Sequence, residues 1–358
     1  MGPAIAMLAL FLAGTSFDEL SKQAATARDQ NRLEEAARLY RQALRLKPDW
    51  SQGWWFLGTL RYDQDRYEEA AQAFTELITL KGDMGPGEAL LGLCEFNLKR
   101  YDAALRHLIH AQKTGFGPDP QLTQVAIYHT ALLLILAQNY ERAGEQLTLL
   151  ARTATPNDKV VLAAGAAALR RPVLPDDVPA GDRDLLEKVG RASIAEMQRQ
   201  PSEAGPAYET ALTAYPKAPG IHYAYGSFLL GADPDRALTV LKQEIEISPR
   251  HVPARCAIAG EYLKRGEAVS ARPFAEEAAR IAPQDFAART AYGRALIELG
   301  DVTGAISELE AAVNLAPDSP HARFALAAAY RRAGRNSDAD RERKEFARLQ
   351  KLIDSEKK

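Results

Sequence analysis

The sequence predicts an all-α fold built from repeated helix pairs, and three observations carry that prediction. A small residue recurs at Ala24, Gly58, Gly92, Ala131, Gly165, Ala192, Gly226, Ala259, Gly293 and Ala327, with successive gaps of 34, 34, 39, 34, 27, 34, 33, 34 and 34 residues. A second small residue follows most of them by twelve positions, at Ala36, Ala70, Ala104, Ala143, Ala204, Ala271, Ala305 and Ala339, and follows Gly226 one position early, at Ala237. No stretch shows the two-residue alternation of a half-buried strand.

The physical sense of this register is close packing. Two antiparallel helices approach only where side chains are small, and large residues at helical spacing fill the space around them. Trp54, Leu57 and Tyr62 surround Gly58, while Tyr67 and Phe74 flank Ala70; Tyr292, Leu296, Val302 and Leu309 repeat the arrangement later in the chain. Pro48, Pro216, Pro249, Pro283 and Pro317 close second helices. Proline lacks an amide hydrogen and disfavours helix in the residue before it, so each marks a stop.

Along the chain, residues 1–16 come first. The run AIAMLALFLA (4–13) is too short to span a bilayer but has the length of a signal-peptide core, with Gly14, Thr15 and Ser16 as small residues for cleavage. The expectation is a signal-peptide-like segment or short anchor, and a periplasmic, secreted or envelope-anchored protein; a cytoplasmic location is the alternative. An N-terminal array of helix pairs is expected over 17–170, with five extra residues, Asp119 to Thr123, between its third and fourth units. The unit starting near Asp158 has a first helix, VVLAAGAAALR, but no convincing second one. In its place stands RPVLPDDVPAGDRD (171–184), whose three prolines predict a joint between two arrays. A C-terminal array is expected over 185–353, closing in a polar helix where charges replace the apolar positions a following repeat would need, with 354–358 as a tail. Such a polar cap keeps the end of a repeat array soluble.

This pattern resembles the tetratricopeptide repeat, whose known unit is a 34-residue helix-turn-helix. WWFLGTLRYDQDRYEEAAQAF (54–74) matches the family pattern best, and its second-helix ending recurs as YRQALRLKP (40–48), YETALTAYP (208–216) and LEAAVNLAP (309–317). The resemblance implies an α-solenoid, a right-handed superhelix of about nine full repeats plus one degenerate unit. It also implies a concave groove lined mainly by first helices. Counted along the matched units, groove places fall at Trp55, Phe56, Thr59 and Tyr62, at Ala89, Leu90, Leu93 and Phe96, and at Tyr128, His129 and Leu132. A second, more charged groove is expected at Arg294, Glu298, Arg331 and Arg332. Family members that grip an acidic C-terminal peptide use Lys and Asn as a carboxylate clamp; the corresponding places hold Ser21, Ala25, Trp55, Thr59, Ala89 and Leu93, so that clamp is absent.

The chemistry-bearing residues point away from catalysis. With 46% hydrophobic residues the 358-residue chain can bury a large core, and a net charge of -2 with both signs scattered provides no field for nucleic acid or anionic lipid. Cys94 and Cys256 lie far apart, each read as a small buried residue. Of six histidines only His107 and His110 share a helical face, and two ligands make a poor metal site. Glu34/Glu35, Glu68/Glu69 and Glu276/Glu277 are expected on solvent faces. No HExxH, Cys-x-x-Cys, phosphate loop or GxSxG elbow occurs. The sequence therefore predicts a non-enzymatic scaffold, without cofactor, metal or small-molecule substrate, that binds another protein or peptide in its groove. Membrane contact is expected only if the N-terminal segment is retained. The alternatives are a substrate-binding subunit of a separate enzyme and a cytoplasmic regulator.

Overall fold

The computed structural model describes residues 16–356, so the expected leader lies outside the described residues except for Ser16, as does the end of the expected tail. Among the described residues the chain is helical throughout, with one short 3-10 turn and no strand. It divides into two compact units, Met1–Gln146 and Leu147–Lys358.

The first unit holds α1 (Phe17–Asp29), α2 (Leu33–Leu46), α3 (Ser51–Tyr62), α4 (Tyr67–Lys81), α5 (Gly85–Asn97), α6 (Tyr101–Thr114), α7 (Pro120–Leu136) and the start of α8 (Tyr140–Thr153). From α1 to α7 each helix packs on the next in sequence, and α5 also touches both α3 and α7. The second unit holds the rest of α8, α9 (Asp158–Ala168), α10 (Ala180–Met197), α11 (Pro201–Ala214), α12 (Ile221–Leu229), α13 (Pro234–Ile247), α14 (Val252–Lys264), α15 (Ala268–Ile281), α16 (Phe286–Leu299), α17 (Val302–Leu315), α18 (Pro320–Arg332) and α19 (Asn336–Glu356). Within it α12, α14, α16 and α18 touch in succession, the first helices of consecutive pairs. The five prolines expected to stop helices all follow a helix end by two residues, as Pro48 follows Leu46 and Pro317 follows Leu315.

The small residues sit where the register requires. A Cβ added to Gly58 would meet the Phe74 ring at 2.7 Å, one on Gly92 the Leu108 side chain at 2.8 Å, and one on Gly293 that of Leu309 at 2.5 Å. In each case the facing residue lies sixteen positions on, and Gly226 faces Leu241 fifteen on. Phe74, Leu108, Leu241 and Leu309 are fully buried. The packing unit is thus a small residue receiving a large one, with the alanine twelve positions on buried beside it.

Eight of the ten small residues are followed seven positions on by the same device, a residue with positive φ: Asn31, Asp65, Lys99, Gln138, Arg199, Gly266, Gly300 and Gly334. At the third pair, Lys99 N–H donates to the Phe96 carbonyl and Arg100 N–H to the Glu95 carbonyl, the two bonds of a Schellman cap. Lysine carries a left-handed cost there of about 1–2 kcal/mol that glycine avoids, against roughly 0.5–1 kcal/mol of extra chain entropy in the unfolded state. Lys99→Gly is therefore expected to raise the urea midpoint, by a stability gain of about 0.5–1 kcal/mol. Lys99→Ala, which keeps the Cβ, gives no such gain; equal effects would contradict the assignment.

The segment expected as a joint, 171–184, lies inside the second unit. It carries the 3-10 turn Pro175–Asp177 and connects α9 to α10, which pack tightly. A Cβ on Gly165 would stand 2.0 Å from the Leu186 carbonyl oxygen, and one on Gly190 would stand 2.0 Å from that of Val161. As one helix advances the other retreats, so the two are antiparallel. α10, 18 residues long, packs on both α9 and α11. The second helix that the Gly165 unit lacks in sequence is α10, one helix serving two pairs. That sharing shortens the gap to 27 residues, about two helical turns below the usual 34.

A further cap holds α12. The Glu244 carboxylate, fully buried on α13, accepts the Gly220 N–H at 2.9 Å and the Tyr223 N–H at 3.3 Å. A negative charge at a helix N-terminus satisfies open amides and opposes the helix dipole.

Candidate functional site

In the first unit the residues expected to line a groove divide into two groups. Phe96, Tyr128 and His129 come together across α5 and α7. The Phe96 and His129 rings stand edge to face with centroids 4.6 Å apart, Tyr128 meets His129 at 5.3 Å, and Tyr101 supports Phe96 at 5.6 Å. The His129 ring is fixed by Nδ1, 2.7 Å from the Val125 carbonyl oxygen. All three are half-buried and present an aromatic surface.

Of the remainder, Trp55, Phe56, Thr59, Tyr62 and Leu90 are likewise half-buried, while Ala89, Leu93 and Leu132 are buried. Trp55 packs edge-on to Phe74 in the α4–α5 core cluster. Phe56 lies against Tyr40, with the Arg28 guanidinium 4.2 Å over its ring, and Tyr62 packs on Tyr67. The Thr59 hydroxyl donates to the Trp55 carbonyl. Leu93 is only 1% exposed and lines no groove, and Ala89 and Leu132 are buried with it. The reason lies in α5 itself, where Gly85, Gly87, Ala89 and Gly92 let neighbours close in on nearly every side. The first unit's cavity, about 280 Å³, opens elsewhere, over α3 between Arg41 and Arg45 of α2 and Glu69 and Gln72 of α4.

The second unit does carry a trough on the first-helix side. A cavity of about 460 Å³ is bounded by Leu263 of α14, by Thr290, Arg294, Ile297 and Glu298 of α16, and by His321, Phe324, Ala325 and Ala328 of α18. Arg294 and Glu298 thus stand where the charged groove was expected. Arg332 does not serve it freely: its guanidinium bonds the Glu298 carboxylate at 3.1 Å and also donates to the Ile297 carbonyl, tying α18 to α16. Arg331 is exposed outside the cavity lining. Phe324, not singled out in the sequence, is 58% exposed at the trough, its ring resting on Phe346 at 5.4 Å. Its signal was available, because Phe324 stands three residues before the small position Ala327, the place Trp55 holds before Gly58.

The paired carboxylates do more than cover solvent faces. Arg61, fully buried, reaches Glu34 at 2.9 Å and Glu69 at 3.0 Å, and donates to Gln64 at 2.6 Å. Arg41 and Arg66 also pair with Glu69, and Glu68 bonds Arg100 at 2.8 Å. The Arg61 hydrogen bond holds the Glu34 carboxyl below the usual carboxylate range. Glu276 and Glu277 pair with Arg272 and Arg280.

His107 and His110 do share a face of α6, and α5 brings Glu88 and Glu95 against them. Burial pushes the thiols of Cys94 and Cys256 up to about 12, so neither is a thiolate nucleophile near neutral pH.

Two tetratricopeptide repeat family models match the chain, one over residues 21–89 and the other over 262–321 and 296–342. No curated protein matches it. Among solved structures, MamA from Desulfovibrio magneticus RS-1 is similar at 22% identity, covering 46% of this chain and 92% of that one, with a TM-score of 0.39. Cut9–Hcn1, an APC/C hetero-tetramer, is similar at 15% identity over 95% of this chain and 67% of the other, with a TM-score of 0.40. The family matches identify tetratricopeptide repeats in both units of this chain, in keeping with the recurrent small-to-large register and the repeated left-handed turn.

Proposed function

We propose that the chain is a non-catalytic scaffold that holds a partner protein or peptide on its first-helix faces, in an exported or envelope-associated assembly. The observation that carries this reading is the trough of about 460 Å³ between α14, α16 and α18, lined by an exposed Phe324 and by Arg294. An apolar anchor flanked by a carboxylate, presented on a helix or an extended segment, suits that lining. The Phe96–His129–Tyr128 surface of the first unit supplies a second, aromatic contact.

The test begins with the tagged chain crosslinked in its own cells and its captured partner identified and purified. Phe324→Ala is then expected to weaken binding by about 1–2 kcal/mol, as loss of an aromatic anchor does, and Arg294→Ala to weaken it less and in a salt-dependent way. Titration calorimetry reads both, and unchanged affinity in both variants would refute the trough as the docking place. Cell fractionation with N-terminal sequencing of the mature chain tests the exported setting.

A further inference from the structure

Between α5, the turn before it and α6 the structure gathers five groups, setting three carboxylates against His107 and His110. Glu95 Oε2 lies 2.6 Å from His107 Nδ1, and Asp83 Oδ1 lies 3.5 Å from His110 Nε2. Each ring is therefore backed by a carboxylate on one nitrogen and turns its other nitrogen toward Glu88. His110 Nδ1 is 3.3 Å from Glu88 Oε1, and His107 Nε2 is 4.0 Å from Glu88 Oε2. Glu88 is more than nine-tenths buried, and its Oε2 has no hydrogen-bond partner; nor has the buried His110 Nδ1, which meets Oε1 off-line. Two buried polar atoms of neighbouring side chains are thus left without a hydrogen-bond partner.

A carboxylate behind each histidine is the arrangement that orients imidazole on a metal, fixing the tautomer and raising the basicity of the free nitrogen. As the side chains stand, no three histidine, cysteine or carboxylate groups among the described residues already surround a common centre. We infer that His107, His110 and Glu88 bind a divalent cation of the zinc class, with Glu95 and Asp83 orienting the two rings and water taking the open position. Two imidazoles and one carboxylate are a known zinc donor set, and hard cations such as magnesium prefer all-oxygen cages. The rings are 31% and 43% exposed, which gives the ion a route in. Bound there, the ion would pin α6 to α5 and to the turn that carries Asp83.

The full chain, stripped with chelator, is titrated with zinc chloride near neutral pH by calorimetry, and with cobalt(II) by absorption. The expected result is one saturable equivalent and the intense visible bands of four- or five-coordinate cobalt. Glu88→Gln and His110→Ala are expected to abolish that equivalent, and Glu95→Gln to weaken it about 10–100-fold. Circular dichroism checks the fold of each variant, and His110→Ala, at the exposed edge, serves if Glu88→Gln unfolds. No saturable uptake, uptake unchanged in folded variants, or a cobalt spectrum like that of the aqua ion would overturn the assignment.

Discussion

Gly190→Ala is expected to destabilise the second unit by about 3 kcal/mol, the upper end of ordinary overpacking costs. Its Cβ would stand 2.0 Å from the Val161 carbonyl oxygen and 2.9 Å from its carbon, and backbone cannot rotate aside as a leucine side chain can. The only relief is to move α10 away from α9, which opens the reciprocal contact at Gly165. Because α10 also packs on α11, the displacement reaches the next pair. Urea unfolding followed by far-ultraviolet circular dichroism reads the change. Tryptophan fluorescence does not, since Trp50, Trp54 and Trp55 all lie in the first unit. Gly260→Ala is the internal contrast: nothing lies within 4 Å of its added Cβ, so a gain of up to about 1 kcal/mol is expected from helix propensity. A Gly190→Ala variant as stable as Gly260→Ala would mean that α9 and α10 are not closely packed.

The second large effect is expected at Arg61. Glu34→Gln with Glu69→Gln leaves a fully buried guanidinium without a counter-charge, and a loss of about 3 kcal/mol follows. Arg61→Met works the other way. It removes the buried charge and leaves carboxylates that water reaches, Glu34 being 65% exposed, so stability within about 1 kcal/mol of the parent is expected. The pH dependence has a defined sign. Glu34 has its folded pKa lowered by Arg61, so its contribution is present above the unfolded value of about 4.3 and is lost as pH falls through the lower folded value. Arg61→Met is expected to flatten the acid limb of the stability profile; an unchanged limb would show that the pair contributes nothing there.

How far the sequence could be read depended on which residues carry their own signal. Small residues at a fixed period announce helix pairs because nothing else explains Gly58, Gly92 and Gly293 inside helices, and the proline stops are equally local. The sharing of α10 was not legible, because Gly165 and Gly190 acquire meaning only when brought together, and the prolines between them read as a joint. Arg61 failed for a related reason: arginine in a helix looks solvent-facing until acids 27 residues before and 8 after close over it. At the candidate site, counting register placed Phe96, Tyr128 and His129 on one surface, yet could not tell that Leu93 is walled in by neighbours drawn close by glycine. Arg294 and Glu298 were found by position. Phe324 was passed over because aromatic residues in helix pairs are so often core.

The central claim is that a partner is held from the first-helix side of the array. A photoreactive amino acid placed at Phe324 in the trough, and in a separate variant at Val269 on α15, 79% exposed, tests it most directly in living cells. The account predicts a discrete crosslinked adduct with one partner protein from position 324 and none from position 269. An adduct from 269 alone, or equal adducts from both, would contradict it.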